Sequence, residues 1–382
     1  MKTKYNIFFY LYMVIMTFVK GVGIQNSSLL LKFSFFIAIF FLICKIYFDC
    51  FTKQEILRIF ILIVLVIISY LFSRSESLVI TLVTLIGMKN VSLRKVFRVT
   101  FWTRLVSYIT TLLLAITGFI SNVPIITQRN GIDVVRYGFG FPHPNLLHSS
   151  FFIMVCSLLL GYKERIRTFT LIPLLVLNYI IYQFSVSRTG YYVTLFVIVF
   201  FMIDRIMERI KNTNFIVRVM AYTYPILSIG TIIIATLYGR FPIFQRLDYL
   251  AFSGRLSFNA KFMTEVGITL FGKANLDSVG AIDNGYVKLL MENGIIFFLL
   301  FLFLYWFLFK LIRTSNNQTT AVILTSFFLY FIGESFLTNI IMNLTLYFFS
   351  GFIFNEKMIT DFLENDSIPE EIGETKFEKS IL

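Results

Sequence analysis

Apolar segments recur along nearly the whole chain at roughly the 20-residue length that crosses about 30 Å of hydrocarbon as a helix. Of the 382 residues, 57% are hydrophobic and 18% are aromatic. That share exceeds what the core of a soluble protein needs. The sequence therefore predicts an all-α fold, a polytopic bundle of transmembrane helices in one membrane domain.

The apolar pattern predicts about twelve spans within residues 1–354. They are placed at 5–20, 29–48, 56–73, 77–89, 99–120, 146–162, 169–186, 190–207, 215–238, 286–309, 318–335 and 338–354. Two longer polar loops, 121–145 and 239–285, interrupt this series. The larger loop lies between spans 9 and 10 and is expected to contain a short surface helix after Gly254.

The distribution of cations orients the bundle. Eighteen Lys and Arg residues fall at alternate ends of the spans, while the short loops between them are poor in cations. Positive loops remain in the cytoplasm, so we expect a protein of the cell membrane with both termini cytoplasmic and both long loops outside. The formal net charge of +13 then reflects topology and indicates no nucleic acid partner. Residues 355–382 carry eight acids against three lysines and are predicted to be a flexible cytoplasmic tail.

Both histidines of the chain lie in the stretch 136–148, which leads into the sixth span and also contains Arg136 and Asn145. His148 falls on the first turn of that span. His143 and Asn145 are expected at a helix N-terminus, where free amide groups favour anions. A purely structural turn is the alternative for His143, and more so for His148. Two histidines without a nearby set of carboxylates do not indicate a metal site.

Arg188 occupies a tight turn, 187–190 (Ser-Arg-Thr-Gly), on the side that the charge bias leaves poor in cations. A guanidinium makes paired hydrogen bonds to phosphate oxygens and stays charged where water is scarce. The alternative is that Arg188 extends to lipid headgroups.

The large loop carries further candidates. Arg255 at the start of the surface helix would combine a cation with unpaired backbone N–H groups, an arrangement that binds phosphate. Asp283 would accept a proton from a hydroxyl, or else cap the tenth span. Lys288 and Glu292 have the spacing of a helix-stabilising pair. Glu334 is an isolated carboxylate within a predicted span, and such residues are functional candidates.

The sequence contains no P-loop, dinucleotide-binding glycine pattern, HExxH or GxSxG motif, and these are the usual marks of nucleotide-dependent or hydrolytic sites. We therefore expect no cofactor, and the energy for any reaction would come from the substrate itself.

From Arg136 to Gly294 the chain resembles the Wzy-type O-antigen and capsule repeat-unit polymerases and, more distantly, the O-antigen ligases. The resemblance rests on 140–145 (Gly-Phe-Pro-His-Pro-Asn), on 187–190, on 253–255 (Ser-Gly-Arg), on the Phe-Gly pair 271–272, and on Asn284-x-Tyr286 followed by Gly294. Their order within the topology is more specific than any motif alone. The chain departs from the family where His-Asn is usual, because Asp283-Asn284 stands there.

The resemblance implies a metal-independent glycosyltransferase that polymerises oligosaccharide repeat units at the outer face of the membrane. The donor would be a glycan on undecaprenyl pyrophosphate, and a second lipid-linked unit would supply the attacking hydroxyl. A chain-length regulator and a flippase would be partners, beside the lipid bilayer. The roles implied are pyrophosphate binding by Arg188, Arg255 and Arg136; proton handling by Asp283 or His143; and substrate contacts by Ser187, Asn145, Asn284 and Tyr286.

Two other functions remain open. An O-antigen ligase would move a finished glycan to another acceptor. A flippase for lipid-linked oligosaccharides has a similar number of spans, but it needs charges along a central cavity, whereas the cations noted above gather in the outer loops.

Overall fold

The computed structural model describes residues 4–22, 29–129, 132–207 and 214–364. In these ranges the chain is mostly helical, with one two-stranded antiparallel hairpin. Seven of the described helices are long and apolar enough to cross a membrane. The predicted class, an all-α membrane protein, is therefore confirmed at this level, whereas the number of twelve spans stays a prediction.

The elements follow the apolar segments closely. The helices are α1 (Asn6–Gly21), α2 (Leu29–Phe48), α3 (Lys53–Ser73), α4 (Ser77–Gly87), α5 (Leu93–Ile116), α6 (Pro144–Tyr162), α7 (Ile172–Ser185), α8 (Arg188–Met207), α9 (Asn214–Met220), α10 (Thr223–Leu237), α11 (Pro242–Leu247), α12 (Arg255–Glu265), α13 (Gly285–Lys288), α14 (Gly294–Ser315), α15 (Gln318–Tyr330), α16 (Ser350–Ile353) and α17 (Lys357–Glu364), and the strands are β1 (Ile125–Arg129) and β2 (Ile132–Arg136).

The helices pack as neighbours in the chain and across it. α1 lies against α2 and α5, α5 lies along α6, and α15 packs on α8. The outward faces of α2 and α3 keep large apolar side chains exposed, including Phe36 and Phe60. Lipid tails are as apolar as these side chains, so such faces suit the interior of a bilayer.

The last two predicted spans differ from the structure. α15 ends at Tyr330 rather than near 335, and 338–354 is not one helix, because only Leu344–Phe349 (3₁₀) and α16 are helical there. Asn343 is fully buried; its side chain accepts from the Thr345 N–H at 3.1 Å and donates to the Leu337 carbonyl at 2.6 Å. Irregular backbone is tolerated inside a membrane protein where other protein groups satisfy it in this way.

The hairpin is a second difference, because the predicted fold is all-α and residues 121–145 are predicted as a polar loop. β1 and β2 pair antiparallel, with Ile125 opposite Arg136. The signal was present in the sequence, because two runs rich in β-branched residues flank Asn130-Gly131, a typical hairpin dipeptide. The end of the hairpin is joined to α7 by a hydrogen bond from the Tyr137 N–H to the Phe184 carbonyl, at 2.9 Å.

The predicted tail begins with an ordered helix. α17 buries Ile359 and Leu363, and the Leu363 carbonyl accepts from the Asn317 side chain at 3.0 Å. The acidic composition concealed this apolar i, i+4 pair, so the prediction of a flexible segment from 355 onward does not hold for Lys357–Glu364. Residues 365–382 lie outside the described residues.

The predicted large loop is anchored to the bundle at its far end. A π-helical segment, Leu289–Asn293, joins α13 to α14, and the loop segment 269–273 docks against it. The Lys273 N–H donates to the Met291 carbonyl at 3.0 Å, and the Ile295 N–H donates to the Thr269 carbonyl at 2.9 Å. Backbone groups that a π-bulge takes out of the regular helix ladder are thereby satisfied.

Candidate active site

The start of α6 brings the first group of predicted residues together. His143 is the N-cap, and its Nδ1 accepts from the Asn145 N–H at 3.1 Å. The side-chain oxygen of Asn145 accepts from Arg136 at 2.5 Å, while Arg136 Nε donates to the Ser185 carbonyl at 2.8 Å. Arg136 is buried. Its guanidinium therefore fixes the hairpin, α6 and α7 to one another, which is a positioning role rather than the open phosphate contact that the sequence predicts.

Glu334 completes this network, although the sequence offered it no local partner. Its Oε1 accepts from Asn145 Nδ2 at 2.8 Å. The residue follows the end of α15 and lies in the irregular segment 331–343, outside the membrane-length helices. Burial raises the pKa of Glu334 to about 7, against the lowering effects of Arg255, Asn145 and Arg136. A carboxylate with such a pKa is suited to exchange protons near neutral pH.

His143 is held as a neutral imidazole. Burial lowers its pKa, and the positive charges of Arg136 and Arg255 lower it further against the opposite effect of Asp283. Because Nδ1 accepts a hydrogen bond, the ring proton lies on Nε2. This tautomer presents a donor to a ligand, so the ring is better suited to position a substrate than to abstract a proton. His143 lies at the start of a helix, as predicted.

The turn 187–190 lies at the end of the bundle that holds His143, Asn145 and Glu334, and we call this end the site end. Ser187 is buried, and Arg188 is exposed. Within the described ranges Arg188 forms no hydrogen bond or ion pair, and its guanidinium is open to a ligand. The last position of this motif requires a glycine, because a Cβ at Gly190 would lie 2.6 Å from the His148 ring.

His148 itself is fully buried. Its ring nitrogens lie 3.2 Å from Ser185 Oγ and 2.8 Å from Asn178 Oδ1. Both nitrogens are therefore engaged in the core, which agrees with the structural alternative that the sequence left open for this residue.

Arg255 lies at the site end beside Asp283 and Gly333. Its side chain is 27% exposed and its Nε lies 3.7 Å from Asp283 Oδ2. A Cβ on Gly333 would come within 2.8 Å of Arg255 Nη1 and 3.1 Å of Thr189 Oγ1. The turn that carries Arg188 and the guanidinium of Arg255 therefore meet over the same glycine, beside Glu334.

The backbone at the start of α12 is not available as the predicted anion site. Asp248, which is buried, accepts from the Leu256 N–H at 3.1 Å and from the Ser257 N–H at 2.9 Å. A carboxylate of the chain already takes the place that a phosphate would occupy. The side chain of Arg255 remains for a ligand. No local pattern in the sequence connects Asp248 with this helix start.

Asn284, rather than Asp283, caps the helix that follows the large loop. Asp283 is 61% exposed and pairs with Arg255. Asn284 is the N-cap of α13, accepting from the N–H groups of Tyr286 and Val287, and its amide donates to the Ile332 carbonyl at 2.9 Å. Tyr286 is fully buried and donates to the Phe328 carbonyl at 2.7 Å.

Asn284 and Tyr286 therefore hold α13 against the end of α15, in place of the predicted substrate contacts. Ser187 is likewise too buried to meet a substrate directly. Lys288 and Glu292 form the predicted helix pair at 3.4 Å. Among the residues that the structure describes, no three His, Cys, Asp or Glu side chains cluster as metal ligands.

The site end thus combines two guanidinium groups, Arg188 and Arg255, with one partly buried carboxylate of raised pKa, Glu334, and one neutral imidazole, His143. Cations of this kind bind phosphate oxygens, and the carboxylate is placed to handle a proton beside them. No family model, no curated protein and no solved structure matches the chain. The function is therefore inferred from this arrangement and from the motifs.

Proposed function

We propose that this protein polymerises oligosaccharide repeat units carried on undecaprenyl pyrophosphate, by glycosyl transfer at the outer face of the cell membrane. The observation that carries the proposal is the meeting of three separate motif segments around Gly333. Thr189 of the 187–190 turn and Arg255 of the 253–255 motif both approach this glycine. Asn145 of the 140–145 motif binds the adjacent Glu334.

Arg255 and Arg188 bind the pyrophosphate leaving group. As the bond between the anomeric carbon and the pyrophosphate oxygen breaks, its electron pair passes to the pyrophosphate. Fixed cations stabilise this developing charge more than the ground state. One such contact is worth about 2–4 kcal/mol, by analogy with the loss of one oxyanion donor. Asp283 orients Arg255 through their ion pair and tunes its position.

Glu334 serves the acceptor. The hydroxyl oxygen of the second lipid-linked unit forms the new bond to the anomeric carbon, and its proton passes to the Glu334 carboxylate. This residue is favoured over Asp283, because Asp283 is largely exposed whereas burial raises the pKa of Glu334 to about 7. The Nε2–H of His143 donates to a sugar oxygen and orients it.

The proposal also places the site end outside the cytoplasm. Those of the eighteen cations that lie in the described residues are then at the opposite end of the bundle, in agreement with the positive-inside rule. The substrates arrive within the lipid bilayer, so their pyrophosphate groups reach the site at the level of the headgroups. A chain-length regulator and a flippase are partners in this proposal.

The test is turnover by the purified full chain in lipid, with lipid-linked repeat units as the only substrates. Wild type is expected to form a ladder of glycan lengths. Arg255→Ala and Arg188→Ala are each expected to lower the rate about 10²–10³-fold, as the loss of an oxyanion donor does. Arg240→Ala and Arg246→Ala are matched controls, because both are exposed cations of the same segment outside the site, and they should keep the wild-type rate.

The outcomes separate the alternatives. Equal ladders from wild type and both site variants would reject the assignment of the arginines. In a second reaction that also contains an acceptor without a lipid pyrophosphate, transfer of glycan only to that acceptor would identify a ligase. Movement of the lipid-linked unit across vesicles without any change in glycan length would identify a flippase.

A further inference from the structure

A polar cavity lies directly beside the candidate active site. It has a volume of about 530 Å³ and is lined by the cations Lys20, Arg104 and Lys288 together with the carboxylates Glu292 and Glu334. Glu334 therefore faces both the active site and this cavity. Five charged groups in one cavity are costly within a membrane domain unless they meet a ligand, water or one another.

Arg104 is the observation that points to a ligand. It lies near the middle of the membrane-length helix α5 and is 1% exposed. Its two terminal nitrogens donate to the Ile341 carbonyl at 2.6 Å and to Ser150 Oγ at 3.3 Å. Its buried Nε finds no hydrogen-bond partner, and no carboxylate of the described residues pairs with it. A buried charge with an unused donor is costly, and an ionisable residue within a membrane span is a candidate for a functional site.

An apolar groove continues from this cavity. The groove has a volume of about 540 Å³ and is lined mainly by apolar side chains of α1, α2 and α4, among them Ile15, Phe35 and Ile80, together with the charged Lys20, Lys32 and Glu76. Cavity and groove share Lys20, Ser77 and Asn339. A charged cavity inside the bundle that opens into an apolar groove along three helices matches an amphiphile, with its head in the cavity and its hydrocarbon chain in the groove.

We propose that the cavity and groove form a second substrate site, which takes the acceptor lipid-linked saccharide with its phosphate at Lys20 and its sugar towards Glu334. The groups lining the cavity have one more cation than carboxylates, which favours an anionic head. Carboxylates, hydroxyls and amino groups together match the hydroxyls of a sugar. Naming this lipid as the acceptor rests on the proposed function, whereas the site itself rests on the cavity and groove.

The test counts the lipids bound to the intact full-length protein by native mass spectrometry, with polyprenyl diphosphate as the probe. Wild type is expected to retain two lipids, one at Arg255 and one in the cavity. Lys20→Gln and Ile80→Trp are each expected to retain one, because the first removes the cation at the junction and the second fills the groove. Adding Arg255→Gln to Lys20→Gln should leave none. Neither Lys20 nor Ile80 is fully buried, so these variants should fold.

Two matched controls guard against general effects. Lys273→Gln removes an exposed cation, and Ile226→Trp enlarges an exposed apolar side chain on α10; both should retain two lipids. Inorganic pyrophosphate and uncharged polyprenol should each fail to displace the lipid that depends on Lys20. If Lys20→Gln and Ile80→Trp retain two lipids, or if pyrophosphate alone displaces that lipid, the amphiphile site is rejected.

Counting the bound lipids does not require the protein to be catalytically active. If wild type makes no polymer but both cavity variants bind one lipid fewer, the second site is supported and the proposed function is rejected. If wild type makes polymer while both cavity variants retain two lipids, the proposed function is supported and the second site is rejected.

Discussion

Asn145 donates its side-chain amide to Glu334 at 2.8 Å across 189 positions of sequence, while the oxygen of the same amide accepts from Arg136. An arginine has only donors, so it fixes which end of the amide carries the oxygen. The nitrogen is then turned towards Glu334, and the carboxylate is held as an acceptor. This chain of contacts joins the hairpin, the start of α6 and the segment after α15 into one unit.

Glu334→Gln should lower the polymerisation rate about 10²–10⁴-fold, the usual contribution of a general base. Glutamine retains an oxygen for Asn145, so the fold and donor binding should change little. The rate is measured under saturating donor and acceptor, with Glu265→Gln as the control because Glu265 is exposed at the end of α12. A Glu334→Gln protein with the wild-type rate would remove this residue from the mechanism.

Glu334 should also make stability depend on pH. Burial raises its pKa from the model-compound value of 4.5 to about 7, so the folded state holds the proton more tightly than the unfolded state. The stabilisation is fully present below about pH 4.5 and is lost as the pH rises through about 7. We expect the difference in Tm between wild type and Glu334→Gln to change across this window and to level off above it. A difference that is constant from pH 4.5 to 8 would contradict the raised pKa.

Gly190→Ala should destabilise the fold by about 1–3 kcal/mol, the range for overpacking a filled core. The reason is the His148 ring, which the new Cβ would approach to 2.6 Å. Gly230→Ala is the control, because Gly230 also lies within a helix and has open space around its Cβ position. Thermal unfolding in the same detergent compares the two; a similar Tm for both variants would show that the ring moves aside.

Asn284→Ala should cost about 1–3 kcal/mol of stability, since it removes a helix cap and leaves the partly buried Ile332 carbonyl without its donor. Asp283→Ala, one residue away, should change stability by less than about 0.5 kcal/mol because the side chain is largely exposed. It should instead lower turnover through the loss of the pair with Arg255. The reverse pattern, with Asp283 governing the Tm, would mean that Asp283 is the structural member of this dipeptide.

The helices could be predicted because length and apolar content are local properties, readable one segment at a time. The segment after Tyr330 could not, because its irregular backbone is stabilised by Asn343 and other buried groups that look like interruptions of a span. The hairpin has a local signal in its β-branched runs and its Asn-Gly dipeptide, but strands of only five residues are hard to distinguish from a loop between apolar segments.

The candidate site was predictable in part. The motifs brought Arg255, Asn145 and the 187–190 turn to one end of the bundle because each lies next to a span boundary. Glu334 could not be assigned a partner, because its contact with Asn145 depends on how distant helices pack. The presence of Arg104 within an apolar span was a usable signal, since a charge at that depth is rare without a function.

The bond from Arg104 to the Ile341 carbonyl spans 237 positions and bears on how the protein is made. α5 emerges from the ribosome long before residue 341 has been translated, and until then its guanidinium lacks its final acceptor. We therefore expect a chain truncated before Ile341 to integrate α5 into the membrane less completely than the full-length chain.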